Sequence, residues 1–74
     1  MPTIDVPAPM AGSVKELLVA VGDSVNAGDE LLIIESMKME IPLESPASGQ
    51  TAEILAAATQ KIDEGDILLR LTTA

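Results

Sequence analysis

The chain has 74 residues, with no cysteine, histidine or aromatic residue, and its 4 cations and 12 anions give a formal net charge of −8. Without cysteine there is no disulfide, thiol nucleophile or thiolate metal site, and without histidine the commonest general base and metal ligand is missing. These absences exclude most catalytic constellations. The lack of aromatic side chains and of a basic patch also argues against nucleic acid and anionic membranes as partners.

The length predicts a single domain over residues 1–74 with a small core. The longest apolar runs, such as Leu17 to Val21, are far shorter than a membrane span, and no basic segment followed by an apolar stretch suggests a signal peptide. We therefore expect a soluble cytoplasmic protein, kept monomeric by the self-repulsion of its negative charge.

Along the chain, short apolar segments alternate with turn residues at the spacing of an all-β sandwich or barrel. The strongest predicted strands are Val14 to Val21, Leu31 to Ile34, Ile54 to Ala58 and Ile67 to Leu71. Turns are predicted at Val21-Gly22-Asp23, Asn26-Ala27-Gly28-Asp29 and Glu64-Gly65-Asp66, where glycine permits positive φ and aspartate can bind the local backbone.

A hairpin is predicted near the middle of the chain, where Leu31 to Glu35 can pair with Met39 to Leu43. Met37 and Lys38 then fall at the reversal. Neither is the glycine or asparagine that two-residue hairpin turns favour, so we expect a strained turn that costs on the order of 1–3 kcal/mol. Strain retained at a site suggests that the site has a use.

The two halves of the chain, residues 1–37 and 38–74, repeat each other. Ten positions are identical at a shift of 37 residues, whereas chance would give about three for this composition. Four further pairs exchange one aliphatic residue for another and are candidate core positions: Val6 with Leu43, Leu17 with Ile54, Val25 with Ile62, and Ile34 with Leu71. The repeat predicts two similar halves related by a pseudo-two-fold axis. Where the second half has Thr59-Gln60 in place of Gly22-Asp23, we expect a looser turn.

The motifs together resemble those of the biotinyl domains of biotin-dependent carboxylases and decarboxylases. The segments that carry the resemblance are Pro9-Met10-Ala11-Gly12, Val21-Gly22-Asp23, Ala27-Gly28-Asp29, Glu35-Ser36-Met37-Lys38-Met39-Glu40, Ser45-Pro46 with Gly49, and Glu64-Gly65-Asp66. They cover nearly the whole chain. Met37-Lys38-Met39 is the specific part, because the Gly-Asp turns also occur in lipoyl domains. A short chain that begins at Met1 is most similar to the stand-alone biotin carboxyl carrier or biotin/lipoyl attachment proteins of bacteria.

The resemblance implies a fold and a modification. The fold would be a flattened β-barrel or sandwich of two four-stranded antiparallel sheets, with the attachment lysine on a hairpin. A biotin protein ligase would join biotin to Lys38 through an amide, so the domain would be a substrate and a carrier, and not itself an enzyme. Biotin carboxylase and carboxyltransferase subunits would be its later partners.

The same resemblance assigns roles to the residues around Lys38. Met37 and Met39 would flank the cofactor and tune carboxylation and partner recognition, although flexible apolar residues at a core edge would look the same. Glu35 and Glu40 would be ligase-recognition charges, or simply part of a solvated acidic surface. Lys15, Lys61 and Arg70 are most simply interpreted as surface charges.

Two alternative functions remain open. A lipoyl carrier of a 2-oxoacid dehydrogenase-type system would share the fold and the lysine position, but lipoyl domains usually have Asp-Lys-Ala, and neither flank of Lys38 matches. Some small attachment proteins accept both groups, so lipoate remains a possible cofactor. The second alternative is an unmodified β-sandwich interaction module in which Lys38 is incidental.

Overall fold

A computed structural model describes residues 2–73, and it is built entirely from strands and turns. The strands are β1 (Thr3–Pro7), β2 (Gly12–Leu17), β3 (Ser24–Val25), β4 (Glu30–Ser36), β5 (Met39–Glu44), β6 (Gly49–Ile54), β7 (Lys61–Ile62) and β8 (Ile67–Thr72). They form two four-stranded sheets in the orders β1-β8-β6-β3 and β5-β4-β2-β7. All pairings are antiparallel, so the predicted fold class is confirmed.

The two sheets are related by the repeat. Moving each strand of the first half forward by 37 residues turns the central pair β2 and β4 into β6 and β8, and turns the short β3 into β7. Even the irregularities repeat, because the register of β2 shifts between Val14 and Glu16 and that of β6 shifts between Thr51 and Glu53. The predicted pseudo-two-fold relation is therefore present in the backbone itself.

Hydrogen bonds between the halves follow the same symmetry. The Ala8 N–H donates to the Asp66 carbonyl and the Ser45 N–H donates to the Asp29 carbonyl, each at 2.7 Å. Each bond joins a loop of one half to the turn that precedes β4 or β8 in the other half. Because every connection between strands except the β4–β5 hairpin crosses from one sheet to the other, the halves interlock and close the barrel.

The core lies between the sheets and is aliphatic. Strand β4 contributes Leu31, Leu32 and Ile34, each 0% exposed, and the equivalent residues of β8 are Leu68, Leu69 and Leu71. The four aliphatic pairs predicted as core positions all lie in the core or pack directly against it. Successive side chains of a strand point to opposite faces, so the intervening Ile33 and Arg70 face outward.

Two predicted strands were placed wrongly at one end. The predicted strand Val14 to Val21 ends at Leu17, and the predicted strand Ile54 to Ala58 keeps only Ile54, since β6 runs from Gly49. The apolar residues after each strand belong to the crossing between sheets. In that crossing the Leu18 N–H still donates to Leu31 of its own sheet, whereas the Gly22 N–H donates to Thr51 of the other.

The turn at Thr59 and Gln60 is not looser than its counterpart. The Gln60 N–H donates to the Ala57 carbonyl at 3.1 Å, as the Asp23 N–H does to Ala20 at 3.0 Å. The Gln60 amide oxygen also accepts from the Ala57 N–H at 2.8 Å, in the manner of the Asp23 carboxylate. Instead of opening the turn, Thr59 adopts a φ of 69° where the first half has Gly22 at 97°.

Candidate functional site

The β4–β5 hairpin presents Lys38 at a turn of two residues. Ser36 and Met39 pair at its base, and Met37 and Lys38 form the reversal with φ values of 52° and 66°. Positive φ at both central positions is the pattern of a type I′ turn, which normally carries asparagine and glycine. The predicted strain is therefore present, and it lies on the residue predicted to carry the cofactor.

All three residues of Met37-Lys38-Met39 point into solvent. Met37 is 93% exposed and Met39 is 62% exposed, and Lys38 is exposed as well. Burying an apolar side chain is favourable, so methionine is usually found inside a protein. Two exposed methionines on either side of one lysine are therefore unusual. Within residues 2–73 no carboxylate lies within ion-pair distance of the Lys38 amine. The amine is therefore sterically open and is flanked by apolar surface.

Glycine at position 12 allows strand β2 to approach the stem of this hairpin closely. A Cβ at Gly12 would lie 2.6 Å from the carbonyl oxygen of Glu35, a distance that real Cβ atoms essentially never show. The equivalent Gly49 would meet Thr72 in the same way, at 2.3 Å. Close packing explains these two glycines, and it fixes the base of the hairpin against β2.

Glu35 and Glu40 lie directly opposite each other on β4 and β5. Like charges in that relation are destabilising unless something offsets them. The Lys15 ammonium on β2 does so, because its Nζ donates a hydrogen bond to Glu40 Oε2. The structure thus places both predicted glutamates beside the hairpin but engages Glu40 in an intramolecular ion pair.

Lys15 was predicted to be an ordinary surface charge, and the structure gives it a specific partner. Its pKa is raised above the usual lysine value, first by the hydrogen bond to Glu40 and then by the charges of Glu40, Glu35 and Glu16. Strand β4 lies between β2 and β5, so the Lys15 side chain spans the outer surface of β4 to reach Glu40. The hairpin pairing was predictable, but no motif indicated that β2 would lie on the far side of β4.

Other kinds of site find no support in the described residues. In residues 2–73, no group of three or more acidic, cysteine or histidine side chains could hold a metal ion. Over the same range no helix is long and apolar enough to cross a membrane. Lys38 and its neighbours are therefore the leading candidate for a functional site.

The model of the Biotin_lipoyl family, described as a biotin-requiring enzyme, matches residues 4–71. This chain belongs to that family. The match spans all eight strands except the first residue of β1 and the last of β8. The resemblance given by Met37-Lys38-Met39 and the Gly-Asp turns is confirmed.

Individual relatives agree with the family assignment. The methylmalonyl-CoA carboxyltransferase 1.3S subunit of Propionibacterium freudenreichii subsp. shermanii is 53% identical over 36 residues, which are 49% of this chain and 29% of that protein. The biotinylated protein TB7.3 homolog of Mycobacterium leprae is 51% identical over 39 residues, or 53% of this chain and 55% of the relative. The matched segments thus span about a third to a half of these relatives.

The fold has a counterpart in a solved structure of a single-chain, multi-domain long-chain acyl-CoA carboxylase. The TM-score is 0.92 with 32% sequence identity over 97% of this chain, which corresponds to 7% of the carboxylase. The likeness extends over nearly every residue described. Taken with the biotinylated relative, it supports covalent biotin as the group that a domain of this kind carries.

The exposed amine suits such a covalent attachment. Formation of an amide at Lys38 requires a nitrogen that an enzyme can reach, and it does not require an enclosing pocket. The exposed turn makes the Lys38 nitrogen reachable. The apolar Met37 and Met39 could lie against a ring system held nearby. The residues present therefore fit the group that the family carries.

Proposed function

We propose that this domain is a biotin carboxyl carrier and that Lys38 is its attachment residue. The observation that carries the proposal is the display of Lys38 between two exposed methionines on a strained hairpin, in a chain of the Biotin_lipoyl family. The turn keeps the amine away from the carboxylates of the domain. No other lysine in residues 2–73 has this setting, since Lys15 is ion-paired and Lys61 lies in strand β7.

In the attachment reaction the domain contributes only the nucleophilic amine of Lys38. The Lys38 Nζ attacks the carbonyl carbon of biotinyl-adenylate, an N–C amide bond forms, and the C–O bond to AMP breaks. The Lys38 ammonium gives up one proton to free the nitrogen lone pair and a second as the amide forms, and the ligase and solvent accept both. Because the reaction needs ATP and a ligase, the domain is modified in the cytoplasm.

Once attached, biotin supplies the carboxyl-carrying chemistry, and the domain supplies its location. The four-carbon stem of Lys38 and the hairpin let the group visit a carboxylating and a carboxyl-accepting site in turn. Tethering raises the effective concentration of the group at both sites. The partners in this scheme are the biotin carboxylase and carboxyltransferase of a biotin-dependent enzyme.

The test is the intact mass of the protein after incubation with ATP, Mg²⁺, biotin and a biotin protein ligase. We expect one biotin increment on the wild-type chain and none on Lys38→Arg, because arginine keeps the charge but cannot form the amide. Lys15→Arg is the matched control, since it changes the nearest ion-paired lysine in the same way and should still gain one increment.

Parallel reactions with lipoate and a lipoate ligase separate the remaining candidates. A lipoyl increment without a biotin increment would replace biotin with lipoate as the cofactor of Lys38. No increment with either ligase would leave the unmodified interaction module. An increment that survives in Lys38→Arg would contradict the assignment of the attachment residue.

A further inference from the structure

The repeat gives the molecule two outer faces that can be compared position by position. We call the outer surface of the β5-β4-β2-β7 sheet the hairpin-side face and that of the β1-β8-β6-β3 sheet the terminal-side face, after the ends they adjoin. On the terminal-side face, the Thr73 N–H donates to the Pro2 carbonyl at 2.8 Å, at the position equivalent to the base of the hairpin. The backbones of the two faces match, so differences between them reflect their side chains.

On the terminal-side face, the central charged side chains form ion pairs with one another. Arg70 lies at its centre, and its Nε and Nη1 donate to Asp5 Oδ1 and Glu53 Oε1, each at 2.9 Å. These bonds tie β8 to both neighbouring strands. The next row of this face consists of Ser24, Gln50, Thr72 and Thr3, which carry no charge.

The hairpin-side face has two apolar residues where the terminal-side face has Arg70 and Asp5. Ile33 stands where Arg70 does, and it lies between the fully buried Leu32 and Ile34, so it faces outward. Its partner across the strands is Pro42, which stands where Asp5 does and is exposed. Ile33 is partly buried and Pro42 is exposed, and side by side they form a small apolar surface on the outer face of this sheet.

Carboxylates border this apolar pair. Glu16 lies directly opposite Ile33 on β2, and Glu35 lies two residues further along β4, towards the hairpin. Unlike Glu53 on the other face, Glu16 has no ion-pair partner in residues 2–73, and neither has Glu35. Glu40 is held by Lys15, and Lys61 lies beside Ser13 at the β7 edge. The central pair is therefore bordered by two carboxylates that are open to a cationic partner.

The length of the lysine side chain indicates which partner would use this face. Before modification the reacting nitrogen extends only a four-carbon stem from the hairpin, so the enzyme that modifies it must approach the sheet surfaces that adjoin the turn. After modification, the added arm lets later partners stay further away. The attaching enzyme is thus the partner with the closest approach to β4 and β5.

We propose that the hairpin-side face, centred on Ile33 and Pro42 and bordered by Glu16 and Glu35, is the docking surface for the biotin protein ligase, which covers it with an apolar patch rimmed by cations. This inference rests on the proposed function, because it assumes that Lys38 is biotinylated. The apolar pair supplies the desolvated centre of the contact, and the two carboxylates select a positively charged rim and accelerate encounter. Ile33 lies in strand β4 and not in the turn, so its role is to position the domain on the ligase.

The experiment measures ligase-catalysed biotinylation of the full chain at varied acceptor concentration. Ile33→Arg should raise KM by about tenfold or more with little change in kcat, because it removes the apolar contact and places a cation before a cationic rim. Arg is tolerated at the equivalent position 70, so the variant should fold, and its thermal unfolding would verify this. Arg70→Ile, the reverse exchange on the terminal-side face, should leave KM unchanged.

A smaller change isolates the charge. Glu16→Gln should raise KM about two- to fivefold, while Glu53→Gln on the other face should not. The kcat/KM of the wild type should fall as NaCl is added, and that of Glu16→Gln should fall less. Mild acylation of Lys38 by a small activated ester, followed by peptide mapping, should proceed equally in all variants and show that the amine itself is unaltered.

The outcomes are separable. A wild-type chain that gains no biotin would contradict the proposed function. A wild-type chain that is biotinylated while folded Ile33→Arg keeps the wild-type KM would overturn the docking surface alone. An equal rise in KM for Ile33→Arg and Arg70→Ile would also overturn it, since the ligase would then not distinguish the two faces.

Discussion

Thr51 lies in β6 at the position that Val14 occupies in β2, and both side chains are 1% exposed. The two residues have nearly the same shape, but threonine carries a hydroxyl. The Thr51 Oγ1 is buried and finds no hydrogen-bond partner among residues 2–73. Burying an unpaired hydroxyl costs free energy that an isosteric methyl group does not. The same core position is therefore occupied by valine in the first half and by threonine in the second half.

This comparison predicts the effect of Thr51→Val. The substitution removes the unpaired hydroxyl and restores the residue that the first half uses, so the free energy of unfolding should rise by about 1–2 kcal/mol. Urea denaturation followed by circular dichroism would measure it. The reverse change, Val14→Thr, is the matched control and should lower the free energy by a similar amount. No gain in Thr51→Val would mean that the hydroxyl finds a partner in solution.

The hairpin is the element in which local preference and conformation disagree most. Met37 and Lys38 both adopt positive φ, which for residues with a side chain costs on the order of 1–3 kcal/mol each. Pairing of β4 with β5, from Glu30 and Glu44 to Ser36 and Met39, holds the turn closed against that cost. Such a turn keeps Lys38 at a defined position without any contact to the amine.

Met37→Asn tests this account of the turn. Asparagine tolerates positive φ at the first position of a type I′ turn, so the free energy of unfolding should rise by about 1 kcal/mol. Thermal or urea unfolding would measure the change. Met39→Asn makes the same exchange just outside the turn, in an extended strand, and should be neutral or destabilising. If the two variants behaved alike, the strain would not reside in the turn.

The sequence predicted elements whose apolar pattern is contiguous along the chain. It missed features that depend on contacts with distant parts of the chain. The hairpin of Leu31 to Glu35 with Met39 to Leu43 was predicted because the alternation and the reversal are contiguous. The ends of β2 and β6 were not, because Leu18 to Val21 is as apolar as a strand but crosses to the other sheet, where the Gly22 N–H donates to the Thr51 carbonyl. The Lys15–Glu40 ion pair was missed for the same reason, since it depends on which strands flank β4.

The whole molecule carries a charge of −8 on 74 residues, and its acids far outnumber its ion pairs. In residues 2–73 only Asp5, Glu40 and Glu53 lie within ion-pair distance of a cation. The other carboxylates repel one another, which opposes the compact state but steers the domain towards cationic partners. Exposed ion pairs contribute little stability, so the three that exist do not balance this repulsion.

Added salt should therefore stabilise the molecule. Screening shortens the range of charge interactions to about 10 Å at 0.1 M salt, which weakens long-range repulsion between carboxylates more than it weakens the close ion pairs. We expect Tm at neutral pH to rise by about 2–5 °C as NaCl is increased from a few millimolar to about 0.3 M. Differential scanning calorimetry would measure it. Near the sequence pI of about 4.1 the net charge approaches zero, so the same addition should have almost no effect. A fall in Tm at neutral pH would mean that the ion pairs of Lys15 and Arg70 outweigh the repulsion among the unpaired acids.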